Sequence, residues 1–454
     1  MIKELKYYLK LCYPLLVRLL LLVLSSFGGS IVAMIAAVLV ILNDVSKENY
    51  RYVFIIFTSL LLFSDSNSSL FYQSGKNGKD LAIVAIAIML FVKNKTNFQY
   101  TYLRYFAAYL GIALLGLLVA NFSMVGLQKL FSYGLVIWII PVLLLLIFEK
   151  GEGLLFLQQL IVTFTVIYFI SIILSRVNPA NFAQFGRFNG IHRNPNGVGI
   201  FATLFIMNMY LIKEKIPQIF SKRVFFVILS VFLFSIVLAS SRNSIIALTL
   251  FFVFSLFRVR FFVGFVLIIF IALGYSYLML LIEQLVMAAD LEKELRLDTL
   301  SYASGRIYIW QACWMEIQNN YWLGHGFSYE EYSKWDKAYV KILPMLIHNY
   351  GNVHNSYLTI WLNTGLLGLL AYLIGLITYV VKHQFNSRRL VPFIFATIFM
   401  AFFESFMVAS LNPYTWQLWF AFFIASIQLN QAPSSEIQEQ KQETAMDEIV
   451  PSVY

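Results

Sequence analysis

LFSYGLVIWIIPVLLLLIF, from Leu130 to Phe148, carries no charge and is closed by Lys129 on one side and Glu149-Lys150 on the other. A helix of about 20 apolar residues covers the ~30 Å hydrocarbon core of a bilayer, so this stretch reads as a membrane span. Similar apolar runs recur at roughly 11–26, 28–42, 52–64, 80–93, 104–120, 153–175, 196–212, 224–240, 243–257, 261–282, 355–381, 391–409 and 415–429. Residues 11–42 also read as one re-entrant hairpin, and the basic start, Met1 to Lys10, lacks a small-x-small cleavage site after its apolar run. That first run is therefore expected to be a retained span.

Composition agrees with the runs. Hydrophobic types make up 60% of the 454 residues and charged types 12%, against about 45–50% and about 25% in soluble domains. Mean hydropathy is +0.75. A soluble enzyme, a disordered chain and a disulfide scaffold are excluded together, and long runs in place of alternation argue against a β-barrel. The expected fold is an all-α polytopic membrane protein with about 12–14 transmembrane helices and one large extracytoplasmic loop containing amphipathic helices. Two cysteines, Cys12 and Cys313, form no framework or metal motif.

The net charge of +10 reads as cytoplasmic loops, with no nucleic-acid partner. With Lys3, Lys6 and Lys10 inside, alternation puts Lys47, Arg51, Lys93, Lys95, Arg104, Lys150, Lys213, Lys215, Lys222, Arg223, Arg258, Arg260, Lys382, Arg388 and Arg389 inside as well. Both termini are then cytoplasmic. The expected units are an N-terminal bundle over 1–283, the extracytoplasmic loop 284–353, C-terminal helices over 354–430 and a polar, disordered tail over 431–454.

Arginine on the outer face runs against that bias: Arg176, Arg187, Arg193, Arg242, Arg296 and Arg306. Arg242 sits in a tight turn, Ala239-Ser240-Ser241-Arg242-Asn243-Ser244, and its guanidinium forks onto phosphate oxygens or simply snorkels to headgroups. Arg187, His192 and Arg193 precede Asn194-Pro195-Asn196-Gly197, a turn and helix start whose N-terminus favours an anion. His354-Asn355 opens a later span. Imidazole, with an ordinary pKa of about 6.5, suits proton removal from a sugar hydroxyl, and it also serves as a polar cap. Asn355 caps the helix or orients a sugar.

Glu404 falls mid-run in 391–409, a buried acid that is functional or an arginine's partner. Ser64 to Lys79 reads as an outer loop with one acid, Asp65, too thin for a metal-binding pair. Asp290, Glu292 and Glu294 read as a solvated helix face. Ser304-Gly305-Arg306 starts an amphipathic helix expected to lie on the membrane surface, in a loop rich in tyrosine and tryptophan that suits the interface or a sugar face. No His-Glu-x-x-His, P-loop or Gly-x-Ser-x-Gly motif is present.

His354-Asn355, nine residues, then Gly365-Leu366-Leu367-Gly368 resembles the signature of the O-antigen ligase and polymerase superfamily of bacterial envelope glycan assembly. Arg242 to Ile246 resembles its Arg-x-x-x-Leu turn, with isoleucine for leucine. Arg187 to Asn196 resembles its Arg...Gly...Asn-Pro-Asn stretch, and Ser304-Gly305-Arg306 and Leu323 to Phe327 resemble the ends of its large-loop helix. The resemblance spans roughly 180–375 and implies a metal-independent, cofactor-free glycosyltransferase of the cytoplasmic (inner) membrane. Its donor is a glycan on undecaprenyl diphosphate, and its site faces outward.

It implies His354 and Arg242 as catalytic residues, with Arg187 or Arg193 on the diphosphate and Arg306 as a further contact. Asn196, Asn355 and Glu404 complete the expected substrate-binding set. The reaction expected is polymerisation of lipid-linked repeat units into capsule, exopolysaccharide or O-antigen. The Phe-, Ile- and Lys-rich composition suggests a low-GC source and tips the reading that way. A ligase moving glycan to another acceptor is the alternative within the family, and a lipid-linked oligosaccharide flippase the alternative from another class. Candidate protein partners are a flippase and a chain-length regulator.

Overall fold

In the computed structural model the described residues are 2–95, 102–119, 123–184, 186–266, 306–332 and 352–427, with 284, 287 and 288 besides. Expectations on Arg296, Asp290, Glu292, Glu294, residues 267–282 of the run 261–282 and the tail lie outside them. The helices are α1 (Ile2–Ser25), α2 (Ser30–Ser46), α3 (Tyr50–Phe63), α4 (Ser69–Val92), α5 (Leu103–Val119), α6 (Met124–Glu149), α7 (Gly153–Val177) and α8 (Pro179–Phe182). A small hairpin, β1 (Ala183–Gln184) with β2 (Arg187–Phe188), precedes α9 (Pro195–Lys215), α10 (Lys222–Ala239) and α11 (Arg242–Leu256). Then come α12 (Arg306–Asn319), α13 (Tyr329–Tyr332), α14 (Ser356–His383), α15 (Leu390–Ala401) and α16 (Thr415–Ser426).

The protein is an all-α polytopic membrane protein. Among the described residues, six helices are long and apolar enough to cross a bilayer: α1 with its 3-10 extension, α6, α7, α9, α10 and α14. Five shorter apolar helices pack among them. α9 is central: 89% of its apolar window is buried, against 39% for α10. Its Phe201 and Phe205 meet Phe164 of α7, and Phe164 stacks on Trp416 of α16 at 5.8 Å.

Two sequence expectations are corrected. The polar stretch Ser64 to Lys79 is not a loop, because α4 begins at Ser69. Its serines and glycines are small so that α4 can lie against α3: a Cβ on Gly75 would fall 2.2 Å from the Ser64 nitrogen. The run 391–409 is not one helix, since α15 ends at Ala401 and Glu404 lies in the connection to α16. The chain leaves the helix there because its polar groups are bonded to the start of α14. Ser356 Oγ donates to the Glu404 carbonyl at 2.7 Å, and the Asn355 N–H donates to Ser405 Oγ at 3.0 Å.

The bundle has two chemically distinct ends. At one, Lys150 pairs with Glu48 at 2.7 Å, Arg51 with Glu152 at 2.7 Å, and Lys215 caps the carbonyls of Asn386 and Ile427. Many of the cations expected on the inner side gather here. At the other end the α3–α4 turn, the 183–197 segment, the α10–α11 turn, α12 and the 402–414 connection converge.

Candidate functional site

α9 starts where the Asn-Pro-Asn-Gly signal puts it. Asn194 Oδ1 accepts from the Gly197 N–H at 2.8 Å and Pro195 stands in the first turn. That start aims Asn196 into the site. α14 starts in the same way: Asn355 Oδ1 accepts from the N–H groups of Tyr357 and Leu358, both at 3.0 Å. Asn355 is thus the cap of the helix that carries the site. His354, just before it, has φ +52, a left-handed conformation that costs a non-glycine residue energy and clusters at functional sites. Asn352 holds it there, its Oδ1 accepting from the His354 N–H at 2.9 Å.

Glu404 is the hub. Its Oε1 accepts from Arg306 Nη2 and, at 3.1 Å, from Asn196 Nδ2, while its Oε2 lies 3.2 Å from His354 Nδ1. Arg187 extends the chain. Its Nη2 donates to Asn196 Oδ1 at 3.2 Å, and its Nε to the Ala239 carbonyl at 2.9 Å. A further bond reaches the Ser240 carbonyl at 3.3 Å. Ser240 is left-handed (φ +46), which makes the turn tight enough to seat Arg242 as the first residue of α11. One connected set therefore links Arg187, Asn196, Glu404, Arg306 and His354, beside the turn that carries Arg242.

Burial opposes ionisation of Glu404, but Arg306 and then His354 outweigh it and hold the carboxyl below the usual carboxylate range. With Glu404 ionised and accepting at His354 Nδ1, the imidazole is oriented with Nε2 left for a substrate proton. Arg193 is exposed on the flank, its carbonyl accepting from Asn67 Nδ2 at 2.8 Å, and Arg176 sits in the last turn of α7.

The glycines that follow His354 in the sequence shape the site from behind. Gly365 has φ +68 and breaks α14, and a Cβ there would fall 2.1 Å from the Trp322 backbone. Into that break the segment after α12 is hydrogen-bonded, His325 N–H to the Leu362 carbonyl at 2.9 Å and Leu366 N–H to the Tyr321 carbonyl at 2.9 Å. Ile309, Cys313 and Ile317 of α12 pack on Val353 and Leu362. Trp310 donates to the Val353 carbonyl at 3.1 Å, and Trp361 to the Tyr321 carbonyl at 3.2 Å. Several aromatic residues of the large loop thus dock α12, which fixes Arg306 against Glu404.

Histidine splits by role. His325 is structural, with Nε2 2.8 Å from the Glu316 carbonyl and its ring stacked on Tyr329. His192 is fully buried and bridges Tyr168 Oη (2.7 Å) to Asp65 Oδ2 (3.1 Å). A cavity of about 290 Å³ opens beside His354 and Glu404 and is also lined by Asp65, Glu330 and Tyr414. Glu330 was invisible to sequence reasoning: Tyr329-Glu330-Glu331-Tyr332 matches no motif, and only the docking of α13 brings it to the cavity.

The structure is thus an all-α membrane bundle with a buried carboxylate that joins a histidine and an arginine at one end. A family model described as O-antigen ligase matches residues 224–373, a span that includes Arg242, Arg306 and His354, and it supports membership of the O-antigen ligase and polymerase superfamily. Members of that family are glycosyltransferase-like enzymes. No curated protein matches the chain significantly.

Proposed function

We propose that the chain is a polysaccharide polymerase that joins undecaprenyl-diphosphate-linked repeat units on the outer face of the cytoplasmic membrane, with both termini inside. The observation that carries this reading is the Glu404 hub, which holds a histidine and an arginine on one carboxylate at the end of the bundle away from the basic loops. In the reaction, His354 Nε2 takes the proton of an acceptor sugar hydroxyl. Its oxygen bonds to the anomeric carbon of the donor, and the bond from that carbon to the diphosphate breaks, with the electron pair leaving on the diphosphate. Arg242 and Arg187 meet the charge that develops there, with Arg306 behind them. No metal ion is assigned a step, because guanidinium groups supply the positive charge. A ligase would use the same geometry on a different acceptor.

The test is the lipid-linked glycan profile of a deletion strain given empty vector, wild type or His354→Ala. Single repeats accumulating on the outer face and rescued only by wild type are expected. Long polymer stranded on its lipid would mean a ligase, and repeats held on the cytoplasmic face would mean a flippase and end the proposal.

A further inference from the structure

The cavity beside His354 has a wall unlike the rest of the site. Four carboxylates line it, Asp65, Glu330, Glu331 and Glu404, and among the described residues no lysine or arginine does. A diphosphate needs the opposite surroundings. Arg187, Arg242 and Arg306 stand outside this lining, beyond Asn196 and Glu404. Two of the four acids are already matched, Glu404 by Arg306 and Glu331 by Lys129 at 2.8 Å.

The other two, Asp65 and Glu330, have no lysine or arginine in ion-pair contact among the described residues; Asp65 is met by His192, and Asn363 is bonded to the Glu330 carboxyl. Asp65 Oδ2 accepts from Tyr414 Oη at 2.7 Å and is met by His192 Nδ1 at 3.1 Å. Tyr168 Oη lies 2.7 Å from the far ring nitrogen of His192, so both nitrogens of that ring are engaged. Both Asp65 contacts fall on Oδ2, and the side chain remains 24% exposed at the cavity. Lys79, half-buried, is bonded to Ser64 Oγ at 3.0 Å and to the Leu411 carbonyl at 2.8 Å. Glu330 Oε2 is shut from water and has no hydrogen-bond partner among the described residues. Burial raises its pKa to about 7, which makes it donor or acceptor near neutrality.

We infer that this cavity is the chamber for the acceptor sugar, an uncharged, hydroxyl-rich ring held by Asp65 and Glu330, and that the same carboxylates exclude sugars bearing carboxylate or phosphate. The inference rests on the glycosyl-transfer reading and divides its site into an anion side and a polyol side. Hydroxyls donate well to a fixed carboxylate, whereas a second anion in a chamber of low dielectric is repelled.

The experiment uses the full chain in lipid nanodiscs and the lipid-linked glycan extracted from the deletion strain. Binding is measured for that glycan and for the same glycan oxidised to a uronate at the primary hydroxyl of its terminal sugar. Wild type is expected to bind the oxidised form at least about tenfold more weakly. The near-isosteric Asp65→Asn should narrow that ratio, as should Glu330→Gln above neutral pH, with thermal melts confirming that each variant is folded. Equal binding of both forms by wild type, an unchanged ratio in both variants, or a native acceptor terminus that is itself acidic would overturn the inference. Elongation of the unoxidised glycan is read separately. Its absence would strike the glycosyl-transfer reading, while the binding ratio still reports on the chamber.

Discussion

Glu404 holds Arg306 and His354 on one carboxylate, so replacing it should cost twice. Glu404→Gln leaves Arg306 without a counter-charge and His354 without its orienting acceptor. Glycan transfer is expected to fall at least ~100-fold, by analogy with loss of an orienting carboxylate behind a catalytic histidine. Stability should fall by about 3–5 kcal/mol, the usual cost of breaking a buried ion pair, read by thermal or denaturant melts. Because the folded-state pKa of Glu404 is lowered, its contribution is present above the ordinary carboxylate range and is lost as pH falls through the folded value. The variant should therefore show a flatter loss of melting temperature on acidification. Glu330 has the opposite sign. Its pKa rises from 4.5 to about 7, so its contribution is full below about pH 4.5 and is lost as pH rises through about 7. Glu330→Gln is expected to melt higher than wild type at pH 8 and like it near pH 4.5.

The broken helix α14 carries the site at its start and the docking break ten residues later. Gly365→Ala would force a left-handed alanine against the Trp322 backbone. The backbone conformation alone costs about 1–3 kcal/mol, and the clash adds to it. The segment Tyr321–Gly326 should undock, Arg306 should leave Glu404, and transfer should be lost together with a faster proteolytic cut between α12 and α14. A variant as stable and as active as wild type would show that the break is incidental. The same contacts explain why two glycines follow the His-Asn pair at fixed spacing: the first lets another strand of backbone into the helix. The second, Gly368, would place a Cβ 2.1 Å from Thr364 Oγ1.

At the scale of the whole molecule, the proposed sidedness has a direct test. Ala180 is exposed at the site end and Asn386 at the basic end. Both native cysteines are buried and give little background. Ala180→Cys should react with a membrane-impermeant maleimide in intact cells, and Asn386→Cys only after permeabilisation. The reverse pattern would put the site in the cytoplasm and overturn the proposed outer-face reaction.

Much was legible in the chain alone. Apolar runs such as Leu130–Phe148 dictate membrane helices because a helix satisfies its own backbone within the bilayer and an unbroken apolar run does not suit a barrel strand. Asn-Pro-Asn-Gly and His-Asn announce helix starts because capping is local chemistry, and both starts stand where expected. Helix limits misled where polarity was taken for a loop, since Ser74, Gly75 and Gly78 are polar or small for the sake of close packing. What only the tertiary structure decided is which distant charges meet. Glu404 lies 98 residues from Arg306 and 50 from His354 along the chain, and no periodicity encodes so long a separation. Asp65 and Glu330 share a cavity for the same reason: side chains at opposite ends of the sequence become neighbours only when packed helices bring their ends together.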